Sequence, residues 1–393
     1  MSRLANRAEV IKLSRALSVD VETLSYLHGL PSDAVAQLRS AISDVLHDEQ
    51  REPLGLLAAV ARWLPAWVSA LCARSWFGAP MTARLACELP AWRVADIANY
   101  LDAEFLADIA VDLDPRSARE VVDLLAAKKV IAITHVLLGR DDFVTLGRFV
   151  ALLPDAVLIQ VAESIEDEGD LLQVLFFIEA RYRIDHIVRL IPIERMQRAV
   201  LLVCDEARRE LWPSLLALLT HAGYGLKREL GDLAAAQGEG VLTAIIETVQ
   251  AEDLWEDVLP VVVCLSPEVQ KLVVNLPVLQ RPEVLERIIQ ATSYRQLWSA
   301  MLCLVEAMNA NGRDALARIF EQVDDAHLAQ AAYAALLRSQ WHTLLDIVRR
   351  LTPARQRDCH EILVHYMPSL DSETADYLQR LLREYGVDQA AQH

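Results

Sequence analysis

Four tryptophans recur at a fixed interval, and this interval constrains the fold more than any other feature of the chain. They are Trp212, Trp255, Trp298 and Trp341, each 43 residues from the next. The residues three, four and seven positions after each tryptophan are apolar, and the fourth is leucine in every copy. This spacing is typical of one face of an α-helix. It predicts a helix that begins near each tryptophan and uses the indole as a buried anchor of the repeat.

Two further apolar segments accompany each tryptophan helix. One stripe precedes the tryptophan by ten to thirteen residues, and a short segment such as 267–277, 312–320 or 353–367 follows it. Each 43-residue unit therefore contains three predicted short helices. Such helices cannot bury their apolar faces alone, whereas stacked neighbours bury them in one continuous core. The sequence predicts an all-α fold, an α-solenoid of roughly 43-residue repeats.

This period and helix number resemble the armadillo repeat, with the two-helix HEAT repeat close behind. The resemblance rests on period and pattern. It implies a superhelix of stacked short helices whose long concave surface binds another protein.

The segment 85–125 carries a second resemblance. In "LACELPAWRVADIANYLDAEFLADIAVDLDPRSAREVVDLL", the pairs Leu89-Pro90 and Asp114-Pro115 begin amphipathic stretches of about ten residues, as proline does in the first turn of a helix. The alternation resembles the cytoplasmic N-terminal domain of MgtE-type magnesium transporters, which implies stacked short helices here. The cystathionine-synthase-type domain and the five-helix membrane block of that family have no counterpart in this sequence, so transport is not inferred.

An aromatic segment near the N-terminus interrupts this pattern. "LGLLAAVARWLPAWVSALCA", residues 54–73, is long enough to cross a bilayer, but Arg62 and Pro65 near its middle argue against a span. We expect the aromatic rings of residues 54–77 to pack inside an N-terminal helical cap region, residues 1–80. The solenoid then covers 81–386, and 387–393 form a loose tail. The alternative is a peripheral membrane contact through residues 54–77.

Composition excludes some classes of partner. The net charge is −17, and a nucleic-acid binder needs a basic face. The six cysteines are scattered without a CxxC pair, and "MSRLANRAEVIKLSRALSVD" lacks the apolar core of a secretion signal. We therefore expect a cytoplasmic protein that does not bind nucleic acid.

Sequence motifs for catalysis are missing. There is no glycine-rich phosphate loop, and the histidines of "HEILVH" stand five positions apart, not the four that a zincin needs. We expect no enzyme and no cofactor. The acidic run "ESIEDEGD" can either hold a divalent cation or begin a helix in solvent. Its candidate metal ligands are Glu163, Glu166, Asp167, Glu168 and Asp170.

Acidic residues also flank two of the recurring tryptophans. We expect them to form a row of carboxylates that steers a protein partner with a basic segment. The candidate residues are Glu210, Glu252, Asp253, Glu256 and Asp257. The resulting prediction is a non-catalytic adaptor or scaffold, with a peripheral membrane protein or a small-ligand or divalent-metal binder as alternatives. A homo-oligomer is left open.

Overall fold

A computed structural model describes residues 3–17, 19–48, 51–203, 208, 211–294, 297–367 and 372–387. Throughout these ranges the protein is built from helices, and no strand occurs in them. The all-α prediction is therefore confirmed. The chain divides into two compact units, Met1–Gly223 and Tyr224–His393. The predicted boundary at residue 80 stays a prediction.

The first unit holds fifteen α-helices among its described residues. They are α1 (Arg3–Leu17), α2 (Ser32–Asp48), α3 (Arg51–Ala61), α4 (Ala66–Cys72), α5 (Gly78–Cys87), α6 (Ala91–Ala98), α7 (Ala103–Asp112), α8 (Pro115–Leu124), α9 (Ala127–Leu138), α10 (Phe143–Val150), α11 (Asp155–Ser164), α12 (Glu168–Phe176), α13 (Ile184–Arg189), α14 (Ile193–Val203) and α15 (Trp212–His221). Two 3-10 helices, Val21–Gly29 and Arg181–Arg183, and a π-helix, Ala73–Phe77, complete it.

The second unit holds the remaining helices. They are α16 (Tyr224–Ala236), α17 (Glu239–Ala251), α18 (Trp255–Val262), α19 (Pro267–Val274), α20 (Pro282–Tyr294), α21 (Trp298–Ala307), α22 (Ala310–Phe320), α23 (Asp325–Arg338), α24 (Trp341–Val348), α25 (Pro353–Tyr366) and α26 (Ser372–Glu384). Val387, where a loose tail was expected, is fully buried, because an apolar side chain gains free energy by leaving water. Residues 388–393 of that tail lie outside the described residues.

Local signals explain why the helices are short and begin where they do. Asp102 caps α7 by accepting a hydrogen bond from the backbone N–H of Phe105 at 2.9 Å. Asp324 caps α23 in the same way through His327 N–H, also at 2.9 Å. Such caps satisfy donors that a helix leaves unpaired in its first turn. Pro115 opens α8, where a missing N–H costs nothing.

Helices pack mainly against the helix two places along the chain. In the second unit α16, α18, α20, α22, α24 and α26 contact one another in turn, and α19, α21, α23 and α25 do the same. In the first unit α5, α7, α9 and α11 form such a series. Two interleaved series of helices therefore run through the second unit, whereas α17 contacts its immediate neighbours α16 and α18.

The four tryptophans each begin a helix and are each 2 % exposed. Their helices, α15, α18, α21 and α24, are three places apart, whereas the packing repeats every two. Successive tryptophan helices of the second unit therefore alternate between the two series, and α21 contacts both α18 and α24. Trp298 lies edge-on to Phe320 with ring centroids 5.9 Å apart, and its indole N–H donates to Gln330 at 3.0 Å.

A basic residue in the first turn links helices that are distant in sequence. In α6, α9, α14 and α25 the third residue is Arg93, Lys129, Arg195 and Arg355, respectively. Each side chain donates to backbone carbonyls at the end of an earlier helix, namely those of Ala61, Leu101, Ile165 and Phe320 among others. The last carbonyls of a helix lack partners within it, and a cation there also opposes the helix dipole. We did not predict these contacts, although "LPAWR" and "IPIER" share the spacing of proline and arginine.

Candidate functional site

The aromatic segment folds into two short helices joined by a tight turn. Helix α3 ends at Ala61 and α4 begins after Pro65, so the break falls at the Arg62 and Pro65 positions that argued against a span. No helix in the described part of the chain is both long and apolar enough to cross a bilayer.

The indole rings of this segment face solvent. Trp63 is 90 % exposed, Trp67 58 % and Trp76 80 %. The expectation that these rings pack inside a cap is therefore wrong. One face of the segment packs on α5 and α6, but the described residues leave these three rings uncovered. We call the exposed side chains of this segment the aromatic surface, which comprises Leu56, Val60, Trp63, Trp67, Leu71 and Trp76.

Arg93 holds the turn that carries Trp63. Its guanidinium is buried and donates to the carbonyl oxygen of Ala61 through Nε at 3.1 Å and Nη2 at 3.0 Å. It also donates to the carbonyl of Leu64. Both ends of the turn are thereby fixed to α6, so the exposure of Trp63 does not depend on a loose loop.

Trp76 is presented by a π-helical turn. The π-helix Ala73–Phe77 follows α4 directly and ends at Gly78, whose φ is +70°. Glycine adopts this left-handed conformation without the steric cost that a Cβ brings. Single π-turns are frequent at functional sites, because the extra residue shifts the side chains out of helical register.

A large apolar cavity lies behind the aromatic surface. Its volume is about 340 Å³, and helices α3 to α10 all contribute to its wall. Leucine, valine, isoleucine and alanine make up most of the lining, and none of its described residues is charged. The cavity reaches the surface, since Val60 and Trp76 line it and are also exposed. Volumes of this size are typical of small-molecule sites.

One polar group in the cavity wall lacks a partner. Thr82 Oγ1 donates to the carbonyl of Gly78 at 2.7 Å, and Thr134 Oγ1 to that of Val130 at 3.0 Å. Ser69 also lines the cavity and is 8 % exposed, but its Oγ has no hydrogen-bond partner among the described residues. A buried hydroxyl without a partner costs about 1–3 kcal/mol, so Ser69 marks a place where a ligand atom would be stabilised.

The aromatic surface has a basic border. Residues 53–87 contain Arg62, Arg74 and Arg84 and no acidic residue, within a chain of net charge −17. Arg62 and Arg74 are exposed. Arg74 pairs with Asp102 at 2.5 Å, but both side chains stay open to solvent. Exposed pairs of this kind are weak, so Arg74 can exchange Asp102 for another anionic partner.

The acidic run at 163–170 is held by arginines. Asp167 caps α12 by accepting from Gly169 N–H at 2.6 Å, and it binds Arg208 Nη2 at 2.9 Å. Glu168 Oε1 accepts from Arg198 Nη2 at 2.8 Å and from Arg195 Nε at 3.3 Å.

These contacts set the ionisation of the run. Burial favours the neutral form of Glu168, but hydrogen bonds from Arg198 and Arg195 outweigh it and lower its pKa. Burial, and then the negative charges of Asp167 and Asp141, raise the pKa of Asp170. The other two candidate ligands, Glu163 and Glu166, are exposed. In the described residues no three His, Cys, Asp or Glu side chains are placed to hold a metal ion.

The acidic residues near the tryptophans do not share one exposed edge. Glu252 and Asp253 are exposed, but Glu256 is half-buried. Asp257 is 7 % exposed within the first turn of α18, so little of its side chain is open to a partner; its role in docking stays a prediction. Glu210 lies outside the described residues. Among the described candidates, the exposed carboxylates are those of two neighbouring residues at the end of α17.

No protein-family model matches this chain, and no curated protein matches it either. The likenesses to armadillo, HEAT and MgtE-type domains therefore remain resemblances of sequence pattern.

Proposed function

We propose that this protein is a non-catalytic helical-repeat scaffold that binds a membrane surface through its aromatic surface. The observation that carries the proposal is the exposure of Trp63 on a turn held by Arg93, together with that of Trp67 in α4 and Trp76 in the π-helix. Exposure of three indoles within fourteen residues to water is unfavourable in free energy. Indoles are stabilised at the boundary between lipid headgroups and acyl chains.

The geometry favours a helix pair that lies on a bilayer. Helices α3 and α4 are too short to cross it and are broken by Pro65. Amphipathic helices of this kind insert aromatic and aliphatic side chains just below the headgroups. Arg62 and Arg74, exposed beside the indoles, would contact anionic headgroups, each contributing about 1 kcal/mol near such a surface.

The second part of the proposal is the scaffold. Two interleaved series of packed helices support an α-solenoid of the armadillo or HEAT type, and such arrays bind partners along an extended surface. In that array a helix packs against the second helix along the chain, whereas the sequence pattern recurs every 43 residues, which is every third helix. A protein partner with a basic segment fits the exposed Glu252 and Asp253, which makes protein binding the second candidate function.

Co-sedimentation with lipid vesicles tests membrane binding. The full chain should partition onto mixed vesicles of phosphatidylcholine and phosphatidylglycerol and bind pure phosphatidylcholine more weakly. The double variant Trp63→Ala/Trp67→Ala should lower this partitioning at least roughly tenfold, because it removes two interfacial anchors. Trp76 is left in place because it lines the cavity.

A matched variant controls for the loss of exposed aromatic area. Tyr26→Ala/Tyr182→Ala removes two rings that are equally exposed but lie outside the aromatic surface, and it should bind vesicles as the wild type does. Equal vesicle binding by both double variants, or no binding by the wild type, would exclude the aromatic surface as a membrane contact.

A further inference from the structure

The cavity behind the aromatic surface has no role in surface binding, which needs only the exposed indoles. We propose that it binds a single long acyl chain, with the polar end of the ligand hydrogen-bonded to Ser69. This goes beyond the proposed function, since acyl binding does not require that the protein touch a membrane. The common chemistry is the acyl chain with a carboxyl or ester oxygen, whether free or part of a phospholipid.

The size and lining of the cavity fit such a chain. A methylene group is about as large as a water molecule, whose share of the liquid is about 30 Å³. A volume of about 340 Å³ therefore takes a chain of roughly eleven carbons or longer. The wall runs over eight successive helices, α3 to α10, and a flexible chain can follow such a wall where a compact ring cannot. An uncharged lining excludes ligands with ionic groups along their length.

Ser69 specifies the polar end. Its hydroxyl can both donate and accept, and its Oγ is the one side-chain oxygen of the described cavity wall that is buried without a partner. A stably bound water needs two to four polar partners. Thr82 and Thr134 already donate to their own helices, so a lone water at Ser69 would be poorly held. An ester oxygen or a protonated carboxyl group at the end of an apolar chain can hydrogen-bond to the hydroxyl without bringing a charge into the uncharged wall.

The cavity opens to solvent where its wall residues are exposed, and this opening defines the entry route. Val60 and Trp76 are at once cavity wall and exposed surface. A ligand that enters between them passes from the aromatic surface to Ser69 without crossing a charged side chain of the wall. Leu57, also exposed and in the wall, belongs to the same opening.

Calorimetric titration of the full chain with fatty acids below their micelle concentration tests the proposal. Affinity should rise about tenfold for each two carbons added from octanoate to dodecanoate, and it should rise less steeply toward palmitate once the cavity is filled. Saturable binding of one palmitate per chain is expected. Absence of saturable binding, or affinity independent of chain length, would overturn the proposal.

Two pairs of variants locate the ligand. Ala110→Phe fills the cavity from α7 and should lower palmitate affinity at least tenfold, whereas Ala103→Phe, in the same helix but outside the wall, should not. Ser69→Ala should lower affinity three- to tenfold, the loss of one hydrogen bond. The nearby Ser75→Ala should leave it unchanged, because Ser75 is exposed and outside the wall. Equal affinity in both members of a pair would place the ligand elsewhere.

A third measurement is independent of whether a variant folds. Palmitate should slow amide hydrogen exchange in α6 to α9 of the wild type and leave α23 to α25 unchanged. Protection of α23 to α25 alone would overturn the assignment. If an amphipathic peptide protects α6 to α9 and no fatty acid does, the cavity takes a helix of a protein partner and the acyl proposal is wrong.

Comparing palmitate with lysophosphatidylcholine distinguishes a free fatty acid from the acyl chain of a phospholipid. Binding of palmitate and of lysophosphatidylcholine shows that the carboxylate is not required, while binding of palmitate alone assigns a free fatty acid. The Trp63→Ala/Trp67→Ala variant should still bind palmitate in solution. If the wild type binds palmitate but does not bind vesicles, the membrane proposal is removed and this one stands.

Discussion

Arg93 reaches from the first turn of α6 to the carbonyl oxygen of Ala61, the last residue of α3, with two hydrogen bonds of 3.1 and 3.0 Å. The guanidinium is buried, and a buried cation requires such partners. Because Ala61 begins the turn that presents Trp63, a residue in "LPAWR" sets the geometry of a surface thirty residues away.

Replacement of Arg93 by methionine should therefore destabilise the protein. Arg93→Met keeps the aliphatic stem but removes the donors, leaving the buried carbonyls of Ala61 and Leu64 without their charged partner. We expect a loss of about 2–3 kcal/mol in the free energy of unfolding, measured by denaturant titration. Hydrogen exchange should also increase in the turn. The control Arg74→Met removes an exposed arginine and should change stability by less than about 0.5 kcal/mol. Similar losses in the two variants would show that the hydrogen bonds of Arg93 to Ala61 and Leu64 contribute nothing to stability.

Leu302 tests the buried face of the tryptophan helices. It lies in α21, four residues after Trp298, and is 2 % exposed. Leu302→Ala should cost about 2–5 kcal/mol in a urea titration, since a buried leucine leaves a cavity when truncated. Leu337→Ala is the matched control, because Leu337 is 63 % exposed in α23. A loss below about 1 kcal/mol at Leu302 would mean that the fourth position is not a packing position.

A substitution at Asp346 tests a cluster in which one buried carboxylate binds three arginines. Its carboxylate binds Arg313 and Arg349 at 2.8 and 2.5 Å, and Arg350 at 3.5 Å. Burial favours the neutral acid, but the Arg313 hydrogen bond and the charges of Arg350 and Arg349 outweigh it, so the pKa of Asp346 lies below its ordinary value. Asp346→Asn should cost about 1–2 kcal/mol at neutral pH, because the carboxylate loses its charge-assisted hydrogen bonds while the partly exposed arginines stay solvated.

The pH dependence of this cluster has a defined sign. The folded-state pKa of Asp346 is lowered, so the unfolded chain binds a proton more readily and the ionised cluster stabilises the fold above the ordinary carboxyl pKa of about 4. That contribution is lost as the pH falls through the lowered folded-state value. Stability measured from neutral to acid pH should fall less steeply in Asp346→Asn than in the wild type. Asp314→Asn, which removes an exposed partner of Arg350, should leave the slope nearly unchanged, and identical slopes in all three proteins would contradict the assignment.

Charge reversal separates the buried from the exposed acids beside Trp255. Asp257→Lys places a cation where the side chain is 7 % exposed and should cost more than about 2 kcal/mol, seen as a lower urea midpoint. Glu252→Lys, on the exposed end of α17, should fall within about 0.5 kcal/mol of the wild type. If Asp257→Lys is as stable as Glu252→Lys, the carboxylate of Asp257 faces solvent and the original docking edge is supported.

The sequence by itself determined where helices begin and which of their faces are apolar. The 43-residue spacing located the first residues of α15, α18, α21 and α24, and Arg62 with Pro65 located the break between α3 and α4. These are local properties, since a helix has a fixed period and proline a fixed φ angle.

The tertiary structure alone decided what covers each apolar face. It paired helices two places apart although the sequence repeats every three, turned Asp257 inward, left Trp63 in solvent and enclosed Ser69 without a partner. Periodicity shows that a face must avoid water, but it does not specify the neighbour that covers it. That neighbour depends on contacts between residues distant in the chain, such as Arg93 with Ala61, and no local pattern encodes the partner of such a contact.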